Sequence, residues 1–151
     1  MKSPARGKLL AALLFLAAGI GVAVPPAWSA DEGISIELNR LKPVKDACRI
    51  SLVFTNALPV PVDLLAIETV LFNTDATVER FLVLKSRPLA PKKIRVQQFD
   101  VRGVPCERFG KLLLNDVKAC KAGELDGPAC LDRLQPSSRA ENVPFVSTVT
   151  N

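Results

Sequence analysis

Residues 48 to 56 read Cys-Arg-Ile-Ser-Leu-Val-Phe-Thr-Asn. Cys48, Ile50, Leu52 and Phe54 fall on one side of an alternating pattern, and Arg49, Ser51 and Thr55 on the other. Side chains alternate across a strand, so a period of two over this length specifies a strand with one face in a core. That face begins with a cysteine, so the strand is also a candidate for covalent attachment to another element. The rest of the chain is read as packing against it.

The first 29 residues stand apart from that core. Lys2, Arg6 and Lys8 give a positive start, and Leu9 to Val24 is an unbroken run of 16 apolar or glycine residues. Pro25 and Pro26 end the run, and Ala27-Trp28-Ser29 presents small residues at the two positions a signal peptidase reads. This is the pattern of a general secretory signal peptide cleaved near Ser29. The run is shorter than the roughly 20 residues that span a bilayer. No paired arginines precede it and no cysteine follows the cleavage site, so neither twin-arginine export nor a lipid anchor is indicated. The expected location is periplasmic or secreted.

Export changes the charge argument. Three of the 20 basic residues and none of the 15 acidic ones lie in the signal, leaving 17 against 15. The basic character of the whole chain therefore gives no support to a nucleic-acid partner. After position 29, 122 of the 151 residues remain, enough for one domain with a single core.

All four cysteines, Cys48, Cys106, Cys120 and Cys130, fall in that part. An even count in an exported chain indicates disulfides, and four cysteines allow three pairings. Cys48–Cys106 with Cys120–Cys130 is favoured, because the second pair closes a short loop containing Gly123, Gly127 and Pro128. A metal or redox reading lacks its usual partners: the chain has no histidine, and no two cysteines stand in a CxxC spacing.

In chain order, Ile34 to Asn39 alternates as a first strand, and Leu41 to Asp46, broken by Pro43, connects it to the strand at 48–56. Asn56 to Pro61 is a loop held extended by two prolines. Asp63 to Phe72 is apolar enough for helix or buried strand. Its β-branched Ile67, Thr69 and Val70, and the turn signal at Asn73–Thr77, favour a strand returning as a hairpin through Val78–Leu84. A second proline-rich connection, 86–91, leads to a strand at Lys92–Phe99 with Ile94 and Val96 on one face and Lys93, Arg95 and Gln97 on the other. That strand is expected to have a solvated face or to lie at an edge. Phe109–Asn115 is the last core strand, and Pro128–Leu134 a short helix with proline in its first turn.

Six or seven strands, with turn signals every 8–12 residues, give an all-β chain of immunoglobulin-like antiparallel sandwich type, with a short C-terminal disulfide-closed loop or helix. The domain spans 30–139, followed by a mobile tail at 140–151. There is no tyrosine, and Trp28 lies in the signal, so antibody-type core markers are absent.

Chemistry finds few candidates. Without histidine or tyrosine, serines have no base beside them. Glu107, Asp116, Asp75 and Glu79 are scattered, no calcium loop surrounds Asp75 or Asp126, and no glycine-rich phosphate loop exists. No enzyme, cofactor or metal is expected. Two sets are candidate binding surfaces. One is the basic group Arg87, Lys92, Lys93 and Arg95 with Lys85, suited to an acidic partner or to anionic lipid at a membrane surface. The other is Asn115-Asp116 beside the stapled loop, where rigid loops commonly bind.

Several segments carry a family likeness: Ile34 to Asn39 with Leu41 and Pro43, Ala47-Cys48-Arg49, Leu52-Val53-Phe54 with Asn56, Leu112 to Val117 with Cys120, and Pro136-Ser137-Ser138-Arg139. Together they resemble a family of small exported bacterial proteins of uncharacterised activity, often labelled Tat pathway signal sequence domain proteins. This chain departs from that label in lacking the paired arginines. The resemblance implies a periplasmic location and carries no catalytic residues. The function expected is a non-enzymatic envelope module that binds a protein; the alternative is a binder of a small ligand or anionic lipid.

Overall fold

The computed structural model describes residues 32–149. The expected signal peptide and its cleavage site lie outside the described residues. Eight strands form within them: β1 (Ile34–Val44), β2 (Ala47–Asn56), β3 (Val62–Phe72), β4 (Val78–Ser86), β5 (Ile94–Arg102), β6 (Lys111–Ala122), β7 (Leu134–Ser138) and β8 (Phe145–Ser147). One short helix, α1 (Gly127–Leu131), precedes β7, and a 3-10 turn at Cys106–Arg108 precedes β6. They build two four-stranded sheets, one ordered β5-β2-β1-β7 and the other β4-β3-β6-β8.

The alternation that opened the argument makes β2 an interior strand of the first sheet. Cys48, Ile50, Leu52 and Phe54 are all fully buried. Across the sheet they join Ile34, Ile36 and Leu38 of β1 and Val101 of β5. The second sheet supplies Leu65, Ile67 and Leu71 of β3, Leu84 of β4, and Leu112 and Leu114 of β6. The space between the sheets is filled by this one apolar cluster, and burial of apolar surface is what drives the two layers together.

The architecture is the expected all-β sandwich, with four corrections in detail. Eight strands form rather than six or seven. Two pairings are parallel, β1 with β7 and β6 with β8, in a sheet set otherwise antiparallel. The segment 140–151, expected as a mobile tail, supplies β8, which buries Phe145 and is preceded by buried Val143. Two aromatic or branched side chains with a sheet face to cover are enough to anchor so short a strand. Pro43 does not end β1 either: it pairs with Cys48, and the chain turns at Lys45 and Asp46 instead.

The disulfides join Cys48 to Cys106 and Cys120 to Cys130, with Cα separations of 4.9 and 6.4 Å. Their positions follow the path of the chain. Cys106 sits where the chain leaves β5 of the first sheet for β6 of the second, and Cys130 sits in α1, where it returns to β7. Two of the five crossings between layers, β5 to β6 and β6 to β7, are thus tied to a strand already in place. Two such bonds belong to an oxidising, extracytoplasmic environment.

Close approach fixes one glycine. A Cβ on Gly110 would stand 2.2 Å from the carbonyl oxygen of Asn73 and 2.6 Å from its carbon. Those are backbone atoms of the β3–β4 turn, where Asn73 Oδ1 accepts the N–H groups of Asp75 and Thr77. The turn cannot yield without breaking these bonds. Gly110→Ala is therefore expected to cost about 2–3 kcal/mol, read from urea unfolding; a loss below about 0.5 kcal/mol would show that the turn gives way freely.

Candidate functional site

The first sheet ends at β5, whose other side has no strand partner among the described residues. Lys92-Lys93-Ile94-Arg95 opens this edge. The expectation of a solvated or edge strand holds in both senses, and the solvated face is the apolar one. Ile94 and Val96 are each 61% exposed, while Arg95 and Gln97 turn toward the opposite layer and are half-buried. The inversion has a physical cause. At the rim of a sandwich the inner face meets water as well as core, so long polar side chains lie there with their stems covered and their heads free. Deeper along the strand the same face carries Phe99 and buried Val101.

The rim of the second sheet lies across from it. Gln97 donates from Nε2 to the carbonyl of Lys85 at 3.2 Å and accepts the N–H of Arg87 on Oε1 at 2.7 Å. At the other end, the Arg80 guanidinium donates to the carbonyl of Arg102 at 2.6 Å. These bonds tie the β4 and β5 rims together. A shallow cleft of about 380 Å³ results, lined by Arg87, Arg95, Val96, Gln97 and Gln98.

The basic group is thereby assembled in part. Arg87 and Arg95 share the cleft, and Lys93 is exposed just before it. Lys92 is turned away, its Nζ donating to the carbonyl of Ala57 at 2.7 Å. Among the described residues none of Lys85, Arg87, Lys93 and Arg95 makes an ion pair. The Arg95 Nε is buried without a hydrogen-bond partner, as is Ser86 Oγ near the end of β4. Apolar exposure gathers at the same rims: Val78, Phe81 and Val83 on β4 join Ile94 and Val96 on β5. Exposed apolar side chains clustered beside unpaired cations are a surface that favours a partner over bulk water.

Asn115 and Asp116 are placed elsewhere. They sit within β6 rather than on a loop, at a bulge where Glu68 pairs with Asp116 and Thr69 with Leu114. Asn115 donates to Glu68 Oε1 at 2.7 Å, and Lys118 pairs with Glu68 Oε2 at 3.0 Å and with Asp116 at 3.2 Å. Asp116 also accepts the N–H of Val117. Their polar capacity is spent on one another, which makes them a structural network of the second sheet. The bulge that carries the strand on past Asn115 is invisible in residue order.

A second cleft of about 430 Å³ opens beside the Cys48–Cys106 disulfide, lined by Pro43, Lys45, Asp46, Ala47, Gly103, Pro105, Cys106 and Glu107. Its charges are of both signs. Among the described residues no group of three or more cysteine, aspartate or glutamate side chains is placed to hold a metal ion.

The ionisable groups set a pH profile. The Lys118 and Asn115 hydrogen bonds hold the Glu68 carboxyl below its ordinary value, Arg49 does the same for Asp100, and Arg108 for Glu79. Folded carboxylates of this kind bind protons less readily than unfolded ones, so their contribution is present above the unfolded pKa and lost as pH falls through the folded one. Their partners Arg49, Arg108 and Lys118 are shifted upward, and that contribution is lost only in strong alkali. With no histidine in the chain, the unfolding temperature is expected to be flat from about pH 5 to 9 and to fall below about pH 4. Thermal unfolding across pH checks this, with a shallower acid limb expected for Glu68→Gln. A step near pH 6.5 would contradict it.

No protein-family model matches the chain, and no curated protein sequence does. A solved structure of IrmA from Escherichia coli is similar in fold, with a TM-score of 0.57 over 69% of this chain and 90% of that one. The two are 12% identical, so the likeness is one of fold.

Proposed function

We propose that this protein is a non-enzymatic module of the periplasm that binds a protein partner through the basic, apolar rim of its first sheet. The observation that carries the reading is the coincidence at the β5 rim of two exposed apolar residues, Ile94 and Val96, with Lys93, Arg95 and, across the cleft, Arg87, which have no ion-pair partner among the described residues. Two disulfides and the signal-like first 29 residues support export by the general secretory route. Membership of the family of small exported proteins that the sequence resembles belongs to the same proposal. The absence of histidine and tyrosine supports a role without acid–base chemistry.

Two experiments test it. Osmotic-shock fractionation with N-terminal sequencing is expected to find the protein in the periplasm beginning at Ala30; a cytosolic chain retaining its leader would contradict the location. Cross-linking of the tagged protein in the envelope, followed by mass spectrometry, is expected to recover one or two partners near stoichiometry.

The second reading is a small ligand or anionic lipid, favoured by the cleft beside Cys106 and by the same basic rim. Saturable thermal stabilisation by an envelope metabolite or by anionic vesicles, with no protein recovered by cross-linking, would decide for it.

A further inference from the structure

We infer that the free edge of β5 is a strand-addition site for an extended segment of a partner protein in which acidic and apolar residues alternate. The inference rests on the protein-binding reading above and specifies how the partner is held.

Antiparallel pairing turns the N–H and C=O of alternate residues toward the neighbour and of the others away from it. The N–H of Asn56 donates to the carbonyl of Lys93 at 2.9 Å, and the N–H of Gly103 to the carbonyl of Asp46 at 2.7 Å. Odd-numbered residues of β5 therefore face β2. Ile94, Val96, Gln98, Asp100 and Arg102 present their N–H and C=O to the open side. The Arg80 bond to the carbonyl of Arg102 comes from that side, as this register requires. It closes one end of the edge, and among the described residues nothing pairs with the backbone of residues 94 to 100 on that side.

The β4 rim is treated differently. Its last outward groups, the carbonyl of Lys85 and the N–H of Arg87, are bridged by the Gln97 carboxamide, which does there what a paired strand would do. Edges are commonly blunted in this way. Along β5 such cover is confined to Arg102. Arg49 pairs with Asp100 through side chains only, on the outer face.

Side chains then select the occupant. A strand added along β5 sets its outward residues beside Ile94 and Val96, where apolar side chains form cross-strand pairs. Its inward residues meet Arg95 and Arg87 across the cleft. There the Arg95 guanidinium lines the cleft without an ion pair among the described residues, and a carboxylate fits it. A second copy of this chain, paired two-fold over the open residues 94 to 100, would set Phe99 opposite Arg95 and supply no carboxylate to it. Added strands are recognised in this manner elsewhere: main-chain bonds give affinity and alternate side chains give specificity.

The test uses the mature protein, ¹⁵N-labelled, with a peptide of five Glu-Val repeats and its Lys-Val counterpart. Amide exchange is read residue by residue. The Glu-Val peptide is expected to slow exchange at Ile94, Val96, Gln98 and Asp100 at least tenfold, with Arg95 and Gln97 unchanged and no effect from the Lys-Val peptide. Val96→Pro removes one outward N–H and leaves the β2 ladder intact; it is expected to abolish that protection. In the envelope, a photo-cross-linker at position 94 is expected to lose its adduct in the same variant. Equal slowing by both peptides, or at odd and even positions alike, would overturn the inference. So would even-position protection without peptide in a protein that elutes as a dimer, which is pairing with a second copy, or protection given only by anionic vesicles. If partners are recovered from the envelope but Val96→Pro and the exchange pattern leave them unaffected, strand addition fails while the protein-binding reading stands. If no partner is recovered, that reading fails first.

Discussion

Replacing Cys48 and Cys106 together by alanine, or reducing their disulfide, is expected to cost about 4 kcal/mol of folding stability. The bond joins residues 58 positions apart. Cutting it releases a loop of that length in the unfolded chain, and the chain-entropy relation gives the magnitude. The Cys120–Cys130 bond, with a separation of 10, is worth about 2.7 kcal/mol on the same relation. A domain of this size is stable by only about 5–15 kcal/mol in total. Loss of the first bond should lower the unfolding temperature by about 15 °C, and loss of both should leave the chain close to unfolded at 37 °C. The ranking follows from loop length, since each bond has one fully buried cysteine, Cys48 in the first and Cys130 in the second. Urea unfolding with and without reductant measures it. A change below about 1 kcal/mol for the first pair would show that packing alone holds that crossing.

Asn56→Leu is expected to cost about 3 kcal/mol, although leucine is the more apolar residue. Asn56 ends β2 and is fully buried. Its Nδ2 donates to the carbonyls of Val60 at 2.9 Å, Leu89 at 3.2 Å and Ala90 at 3.3 Å, and its Oδ1 accepts the N–H of Leu58 at 3.0 Å. One side chain thus satisfies backbone groups of both proline-rich connections, where prolines leave few donors. Removing it takes the partner from the Val60 carbonyl and the Leu58 N–H, while the Leu89 and Ala90 carbonyls keep the N–H groups of Val62 and Lys93; an unsatisfied buried group costs more than the bond it lost. Asn56→Asp should be impaired too, since it keeps the acceptor and loses the donors. Chemical unfolding of the two variants checks this; a near-neutral Asn56→Leu would mean that water reaches the loops. The same loops position Lys92 and Lys93 before the β5 rim, so a loss here would also disturb the binding edge.

The core was legible because it depends on local pattern. Cys48 to Phe54 alternates whatever its partners are, and a two-residue period leaves only two faces from which to choose. Asp63 to Phe72 was legible as a strand from its β-branched residues and the turn after it. At β5 the same rule misleads. Ile94 and Val96 alternate with Arg95 and Gln97, but alternation does not say which face is dry when the strand lies at a rim. The last core strand reads as ending at Asn115, whereas β6 runs on to Ala122 through two bulges, at 115 and near Lys118, which leave no mark in composition. Asn56 reads as an ordinary turn residue, since its partners at Leu89 and Ala90 lie 33 and 34 positions away. The basic group was visible as a group. That Lys92 leaves it, and that Arg87 and Arg95 enclose a cleft, depends on Gln97 reaching across to β4.

The direct measurement is partner recovery from the envelope by the tagged mature protein and by its Arg87→Glu, Lys93→Glu, Arg95→Glu variant. The expected result is a protein partner captured near stoichiometry by the native chain and reduced at least tenfold by the variant, with unfolding temperatures within a few degrees of each other. Equal recovery by both, or none above background by the native chain, would contradict a protein-binding role for the β5 rim.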